Sequence, residues 1–179
     1  MHEASQWEKN CFVTLTYEDT PDWNSLKHSD FQKFMKRLRR WRQRDDANTG
    51  KNSGPIRFYM AGEYGTYGGR PHYHACLFNY APEDTQFLRS TNSGSNLYRS
   101  AQLERLWPHG FSSVGDVNFE SAAYVARYVM KKMKEEENTK GQVIDWETGE
   151  VMPRVPEYNK MSLKPGIGAN FIDKYQSDV

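Results

Sequence analysis

The chain has 179 residues, of which 37% are hydrophobic, 26% charged and 14% aromatic, with a formal net charge of +1 at pH 7. That length fits one domain, 1–179, with a real core, and the composition excludes a disordered chain while leaving aromatic residues to fill much of the interior. No run approaches the ~18 apolar residues of a membrane span, and "MHEASQWEKN" lacks the pattern of a secretory leader, so no membrane partner is expected, and Cys11 and Cys76 are expected as reduced core residues in the cytoplasm.

In chain order, "CFVTLTY" (Cys11 to Tyr17) alternates and is rich in aromatic and β-branched residues, which predicts a strand ended by "EDTPD". Between Lys27 and Arg44 eight Lys and Arg stand against one Asp, a local charge of +7. Within it, "SDFQKFMKRLRRWRQR" sets Gln32 three residues after Ser29, a capping-box pattern, and puts Phe31, Phe34, Met35, Leu38 and Trp41 on one helical face with the arginines outward. Such a stretch suits a polyanion through counterion release, or a merely solvated helix face. "DDANTGKNSGP" (Asp45 to Pro55) reads as a mobile polar loop. "IRFYMAGEY" and "HYHACLF", joined through "GTYGGRP", read as an antiparallel hairpin. "STNSGSN" reads as loop, "SAQLERLW" as a short helix stopped by Pro108, and "SSVGDVNF" as a strand. "SAAYVARYVMKKMKEEE" predicts a helix capped by Ser121 and reaching about Glu137. A small hairpin in "VIDWETGEVM" follows, and "SLKPGIGANFIDKY" reads as a glycine loop leading into a terminal helix. The mixture predicts α+β, with a central, mainly antiparallel sheet of about five strands flanked by helices.

Two constellations carry chemistry. In a strand, residues two apart face the same side, so His72 and His74 point together while Tyr73 points away. Glu63, paired across from either histidine, would direct its carboxylate to that same face. Two imidazoles and a carboxylate suit a divalent ion with positions left open for substrate, and permit Mn, Mg or Zn. The competing reading is a hairpin that simply packs. On the helix after Ser121, Tyr124 and Tyr128 share a face continued by Lys131 and Lys132, while Ala122, Val125, Val129 and Met133 supply a separate docking face. Two such phenols either pack at the rim of the core or, with a lysine or a metal favouring the phenolate, serve as nucleophiles.

The strand "FVTLTYED", the histidine pair in "GRPHYHACLF" and the tyrosine helix "YVARYVMKK" resemble, in order, the three motifs of HUH endonucleases. The resemblance is nearest to replication initiators of microviruses of the gokushovirus type, through "GEYG", "FSSVGDVNFESAAYVARYVMKK" and "MSLKPGIG", and spans Cys11 to about Val179. It implies an RRM-like palm and rolling-circle replication of a small circular DNA in a bacterial host, with single-stranded origin DNA as substrate and host helicase and polymerase as partners. Glu63, His72 and His74 would hold Mn2+ or Mg2+. A tyrosine would attack the scissile phosphate, free a 3′-hydroxyl and keep the 5′ end as a phosphotyrosine, and the second tyrosine would close the circle. A lysine three residues beyond the tyrosine marks the single-tyrosine motif, which picks Tyr128 with Lys131 first and Tyr124, followed by Arg127, as its partner. No nucleotide cofactor is expected, since no "GxxxxGK" loop occurs.

Weaker roles follow. Thr14 and Thr16 would meet the DNA backbone if their strand face is the metal's, or pack in the core. Lys164, beside Gly166 and Gly168, would let the backbone approach a phosphate or only mark a turn. Arg37, Arg39, Arg40, Arg42 and Arg127 would track DNA. Relatives of this type carry further segments on both sides, so the chain is expected to be the catalytic core of a longer protein. The alternatives are a transposase or plasmid relaxase with the same chemistry, a non-catalytic single-strand binder with stacking aromatics, and an iron oxygenase. A cupin-like version of the last needs a glutamate where Leu77, Phe78 and Asn79 stand.

Overall fold

A computed structural model of the chain describes residues 1–18, 25–65, 69–91, 93–135, 142–144 and 149–176, with only the backbone described at 128–135, 142–144, 152 and 153. Its strands are β1 (Asn10–Tyr17), β2 (Arg57–Tyr64), β3 (Pro71–Phe78), β4 (Thr85–Ser90), β5 (Asn96–Ser100), β6 (Gly110–Gly115), β7 (Gln142–Ile144), β8 (Val151–Pro153) and β9 (Tyr158–Met161). The helices are α1 (His28–Thr49), α2 (Ala101–Leu106), α3 (Phe119–Glu135) and α4 (Ala169–Tyr175). One antiparallel sheet takes the order β4-β5-β6-β1-β3-β2-β9, and β7 pairs with β8 apart from it. The fold is the expected α+β, but the main sheet is 7-stranded rather than about five-stranded. β4 and β5 flank the expected "STNSGSN" loop, and β9 precedes the glycine loop.

Alternation in the sequence becomes alternation in burial. Cys11, Val13, Leu15 and Tyr17 of β1 face the core with Tyr73, Ala75 and Leu77 of β3 and Met60 of β2. α1 covers this side with Phe31, Phe34, Met35 and Leu38, and α2 adds Leu103 and Leu106. Each large side chain so buried contributes about 1.5–3 kcal/mol. Trp107 is fully buried at the centre, its ring edge-on to Tyr17 at 5.1 Å and Tyr73 at 5.7 Å. Trp41, expected on the buried stripe, is 37% exposed and only brushes Tyr80, because the stripe leaves the core one turn earlier. The capping box at Ser29 and Gln32 does not form: α1 begins at His28 with Lys27 as an uncapped first position. The helix also runs through Thr49 to an αL Gly50, so the first half of the expected Asp45–Pro55 loop is helical. Beyond it Asp46 accepts from the Ser53 amide at 3.1 Å and hydroxyl at 2.6 Å, which pins the loop. Gly110 opens β6 where a Cβ would lie 2.3 Å from the Glu18 amide nitrogen, so no larger residue fits that approach.

α3 crosses the other side of the sheet, over β2, β3 and β9. Val125 is fully buried there beside Ala61, Cys76 and Phe78. Its cap is Asn118 rather than Ser121: Asn118 Oδ1 accepts from the Ser121 amide at 2.8 Å and Ser121 Oγ accepts from the Asn118 amide at 2.9 Å. A buried ion pair, Arg57 Nε to Glu3 Oε1 at 2.7 Å, fastens the N-terminal segment to β2. Arg57 also donates to the Pro165 and Gly166 carbonyls, and Glu3 accepts from the Gly168 amide, so the loop before α4 is held by the same pair.

Candidate active site

Register assembles the site. Glu63 lies directly opposite His72 in the β2–β3 pair, and Thr16 and Thr14 of β1 lie opposite His72 and His74. All five therefore share the face opposite to the one α1 covers. Glu63 is 2% exposed, and its Oε1 lies 2.8 Å from His72 Nε2 and 2.6 Å from His74 Nε2. Tyr124, on α3, donates its hydroxyl to the same oxygen at 2.8 Å and sets its ring edge-on to His74 at 4.9 Å. The outer ring nitrogens are also held. His72 Nδ1 meets the Arg70 carbonyl at 3.0 Å, His74 Nδ1 meets Thr14 Oγ1 at 3.0 Å, and Phe12 stacks on His74 at 5.5 Å.

This donor set fits a divalent cation. A carbonyl only accepts, so His72 Nδ1 carries hydrogen toward Arg70. A neutral His72 then turns a lone pair toward Glu63 Oε1, and two acceptors 2.8 Å apart require a proton or a cation between them. The ligand atoms of Glu63, His72 and His74 all lie within 4.8 Å of one another. Two nitrogens and a carboxylate, with both imidazoles already anchored from behind, satisfy the usual requirements of a cation with open positions and do not choose among Mn, Mg and Zn.

The electrostatics match. Burial resists ionisation of Glu63, but the hydrogen bonds from His72, His74 and Tyr124 prevail and hold it down to about 2. Burial opposes protonation of His72 too, yet the Glu63 carboxylate and the Arg70 carbonyl raise it; His74, more deeply buried, is lowered. A proton shared within the metal-free site thus belongs on His72. Burial, then the adjacent Glu63 charge, pushes the Tyr124 phenol up, so in this state it keeps its hydrogen.

Over residues 10–133 the chain matches the family model of replication-associated proteins of the ORF2 type. The chain belongs to that family. It is 35% identical to replication-associated protein VP4 of Bdellovibrio phage phiMH2K over 179 residues, 99% of this chain and 52% of the relative. It is 31% identical to replication-associated protein ORF2 of Spiroplasma virus 4, over 90% of this chain and 47% of that one. The figure is 36% for replication-associated protein ORF4 of Chlamydia phage 1, over 73% of this chain and 32% of the relative. The chain thus spans about half the length of the first two relatives. No solved structure matches it. The family span takes in Glu63, His72, His74, Tyr124 and Tyr128, and leaves out Lys164.

The expected site residues separate into groups. Glu63, His72, His74, Thr14, Thr16 and Tyr124 come together. The side chains of Tyr128, Lys131 and Lys132 lie outside the described residues, although α3 continues past them and sets Tyr128 one turn beyond Tyr124. Arg127 is exposed on the same helix. Arg37, Arg39, Arg40 and Arg42 belong to α1, on the opposite side of the sheet from the triad. There Arg37 donates to the Leu106 carbonyl at 2.8 Å, Arg39 to Ile56 at 3.0 Å and Arg42 to Asn79 at 3.3 Å, while Arg40 is exposed. Lys164 lines a cavity of about 710 Å3 with Arg39 and Arg42, at the end of β2 remote from Glu63. Sequence reasoning missed Phe12, the Arg70 carbonyl and Glu157. The Glu157 carboxylate accepts from the Tyr64 amide at 3.0 Å, and its charge adds to the upward push on His72 and Tyr124. Phe12 was within reach, since it alternates with Thr14; Glu157 gives no pattern to find. Among the described residues no helix is long and apolar enough to cross a membrane.

Proposed function

We propose that the chain carries the nicking and joining centre for rolling-circle replication of a small circular single-stranded phage genome, an endonuclease of the HUH kind. The observation that carries this reading is the meeting of Tyr124, His72 and His74 on one oxygen of Glu63, at 2.8, 2.8 and 2.6 Å. A nucleophile of the right type and a metal-ligand set occupy one point, as attack on a phosphodiester requires. The named relatives, all replication-associated proteins of bacterial viruses, support the biological setting.

In this reading Glu63, His72 and His74 hold Mn2+ or Mg2+. The cation, when bound, supplies Lewis-acid polarisation of a phosphate oxygen and offsets the carboxylate field that now disfavours a phenolate. Thr14 and the Arg70 carbonyl fix the two imidazoles, so their Nε2 atoms face the ligand point. The tyrosine oxygen bonds to phosphorus, the P–O3′ bond breaks, and the phenol's proton ends on the departing 3′-hydroxyl. The 5′ end stays as a phosphotyrosine, whose reversal by a 3′-hydroxyl rejoins the strand without a nucleotide. Tyr124 and Tyr128 form the pair that alternates between the two cuts: Tyr128 stands first by its spacing to Lys131, whereas Tyr124 is in contact with the triad. Single-stranded origin DNA is the substrate, and host helicase and polymerase extend the freed end.

The test is incubation with single-stranded genomic oligonucleotides and Mn2+ or Mg2+, followed by mass spectrometry. A protein–DNA adduct on Tyr124 or Tyr128, lost in chelator, is expected. An intact oligonucleotide with both metals, or an adduct that forms equally in chelator, overturns the proposal. Tyr124→Phe and Tyr128→Phe then report which phenol attacks first.

A further inference from the structure

The triad occupies only part of its face of the sheet. α3 covers that face at β2, β3 and β9, while the half formed by β1, β6, β5 and β4 carries no helix on this side among the described residues. Register defines what lies open there. Phe111 and Ser113 of β6 sit opposite Thr16 and Thr14, which are themselves opposite His72 and His74. Tyr98 pairs with Val114, so continuing that antiparallel register sets Arg99 of β5 beside Ser113. A row therefore runs from His74 through Thr14 and Ser113 to Arg99, with Phe111 in the adjacent row beyond Thr16. Successive strands are about 4.8 Å apart, so the row extends about 14 Å from the ligand.

The residues on this surface have an unusual combination. Phe111 is 61% exposed in the middle of a strand pair, although its neighbours on the opposite face of β6, Ser112 and Val114, are buried. Hydroxyls and an arginine surround it, and the strand positions of this open half bear no carboxylate. Glu104, on α2, holds the Arg99 guanidinium at 2.6 and 2.7 Å, which fixes its orientation. A stacking ring on a polar, weakly cationic surface is the chemistry of a single-stranded nucleic-acid platform, because every base has a π-face and no base-edge code is needed. An apolar protein partner would want more such side chains, and among the described strand positions of this open face Phe111 is the one ring so exposed.

We propose that the open half of the triad's face is the track for the single strand flanking the scissile phosphate, with Phe111 stacking a base and Ser113 and Arg99 meeting the backbone. The inference rests on the functional reading above and names the residue that seats its substrate. Phe87 provides an internal control: it is 63% exposed, but on β4 it pairs with Tyr98 and so faces the α1 side. Binding of a fluorescent single-stranded oligonucleotide is measured by anisotropy in chelator, where no cleavage competes. Phe111→Ala is expected to weaken binding about tenfold, Phe111→Trp to restore it, and Phe87→Ala to leave it unchanged. Equal affinity for Phe111→Ala and the parent, or equal losses for Phe111→Ala and Phe87→Ala, overturns the track while adduct formation by the parent leaves the nickase reading standing. A parent chain that binds no single strand overturns both.

Discussion

Glu63→Gln, compared with the parent chain in chelator as the pH is lowered, isolates what the triad contributes to stability. In the parent, Glu63 is held at about 2 against an ordinary 4.5, despite burial, by hydrogen bonds from His72, His74 and Tyr124. A carboxylate lowered on folding stabilises the native state fully above its unfolded value, and that stability disappears as the pH falls through its folded value. Two and a half units correspond to about 3 kcal/mol at roughly 1.4 kcal/mol per unit. The group is almost fully buried, so solvent screening takes little from this figure. Below pH 5 the raised His72 keeps its charge, so the window from pH 5 to pH 2 reports the carboxylate. Urea unfolding at fixed pH should find the stability difference between parent and variant shrinking by about 3 kcal/mol across that window. A difference that stays flat, or a Glu63 carboxyl resonance that titrates near the ordinary 4.5, would mean that the three hydrogen bonds do not form together in solution.

Thr14→Val removes the partner of His74 Nδ1 and should lower Mn2+ affinity about 10–100-fold by calorimetry while leaving the metal-free melting temperature nearly unchanged. Trp107→Ala empties the centre of the core and should cost about 3–5 kcal/mol in chemical denaturation. Arg57→Met leaves Glu3 buried without its cation, which should cost about 3–5 kcal/mol and accelerate amide exchange at Gly168, the third group on that carboxylate.

Most of the fold was legible because period and burial agree. β1 alternates without interruption, and the strands of the central hairpin carry enough aromatic and β-branched residues to be read directly. The strands that escaped reading lack that signal for a physical reason. β4 is exposed at every position, so neither face is marked by apolar residues, and β9 is a short strand with no buried position. Capping misled twice in the same way. Ser29 and Ser121 have the chemistry of a first position, but each already lies inside its helix, and at α3 the partner that completes the reciprocal pair is Asn118. The pattern identified that a helix began there without resolving which polar residue faced the free amides.

The site was legible through register, and register also explains why the basic stretch of α1 does not belong to it. Strand period places Glu63, His72 and His74 on one side, and the same period places Tyr73, Ala75 and Leu77 on the other, where they are fully buried. A helix whose apolar stripe is Phe31, Phe34, Met35 and Leu38 must cover that buried side. Its arginines are then separated from the triad by the whole thickness of the sheet. Arg37, Arg39 and Arg42 meet carbonyls at the ends of neighbouring elements, where a guanidinium satisfies acceptors that a loop would otherwise leave to water. The concentration of charge in the sequence reports helix fastening on this side at least as much as affinity for a polyanion. Tyr73, the residue between the two histidines, already carried the geometry: a large aromatic that points away from a metal must be packed by something, and whatever packs it cannot also reach the metal. The helix that does reach Glu63 is α3, which docks through the small and β-branched Ala122 and Val125 and so comes close enough for a phenol to touch the carboxylate.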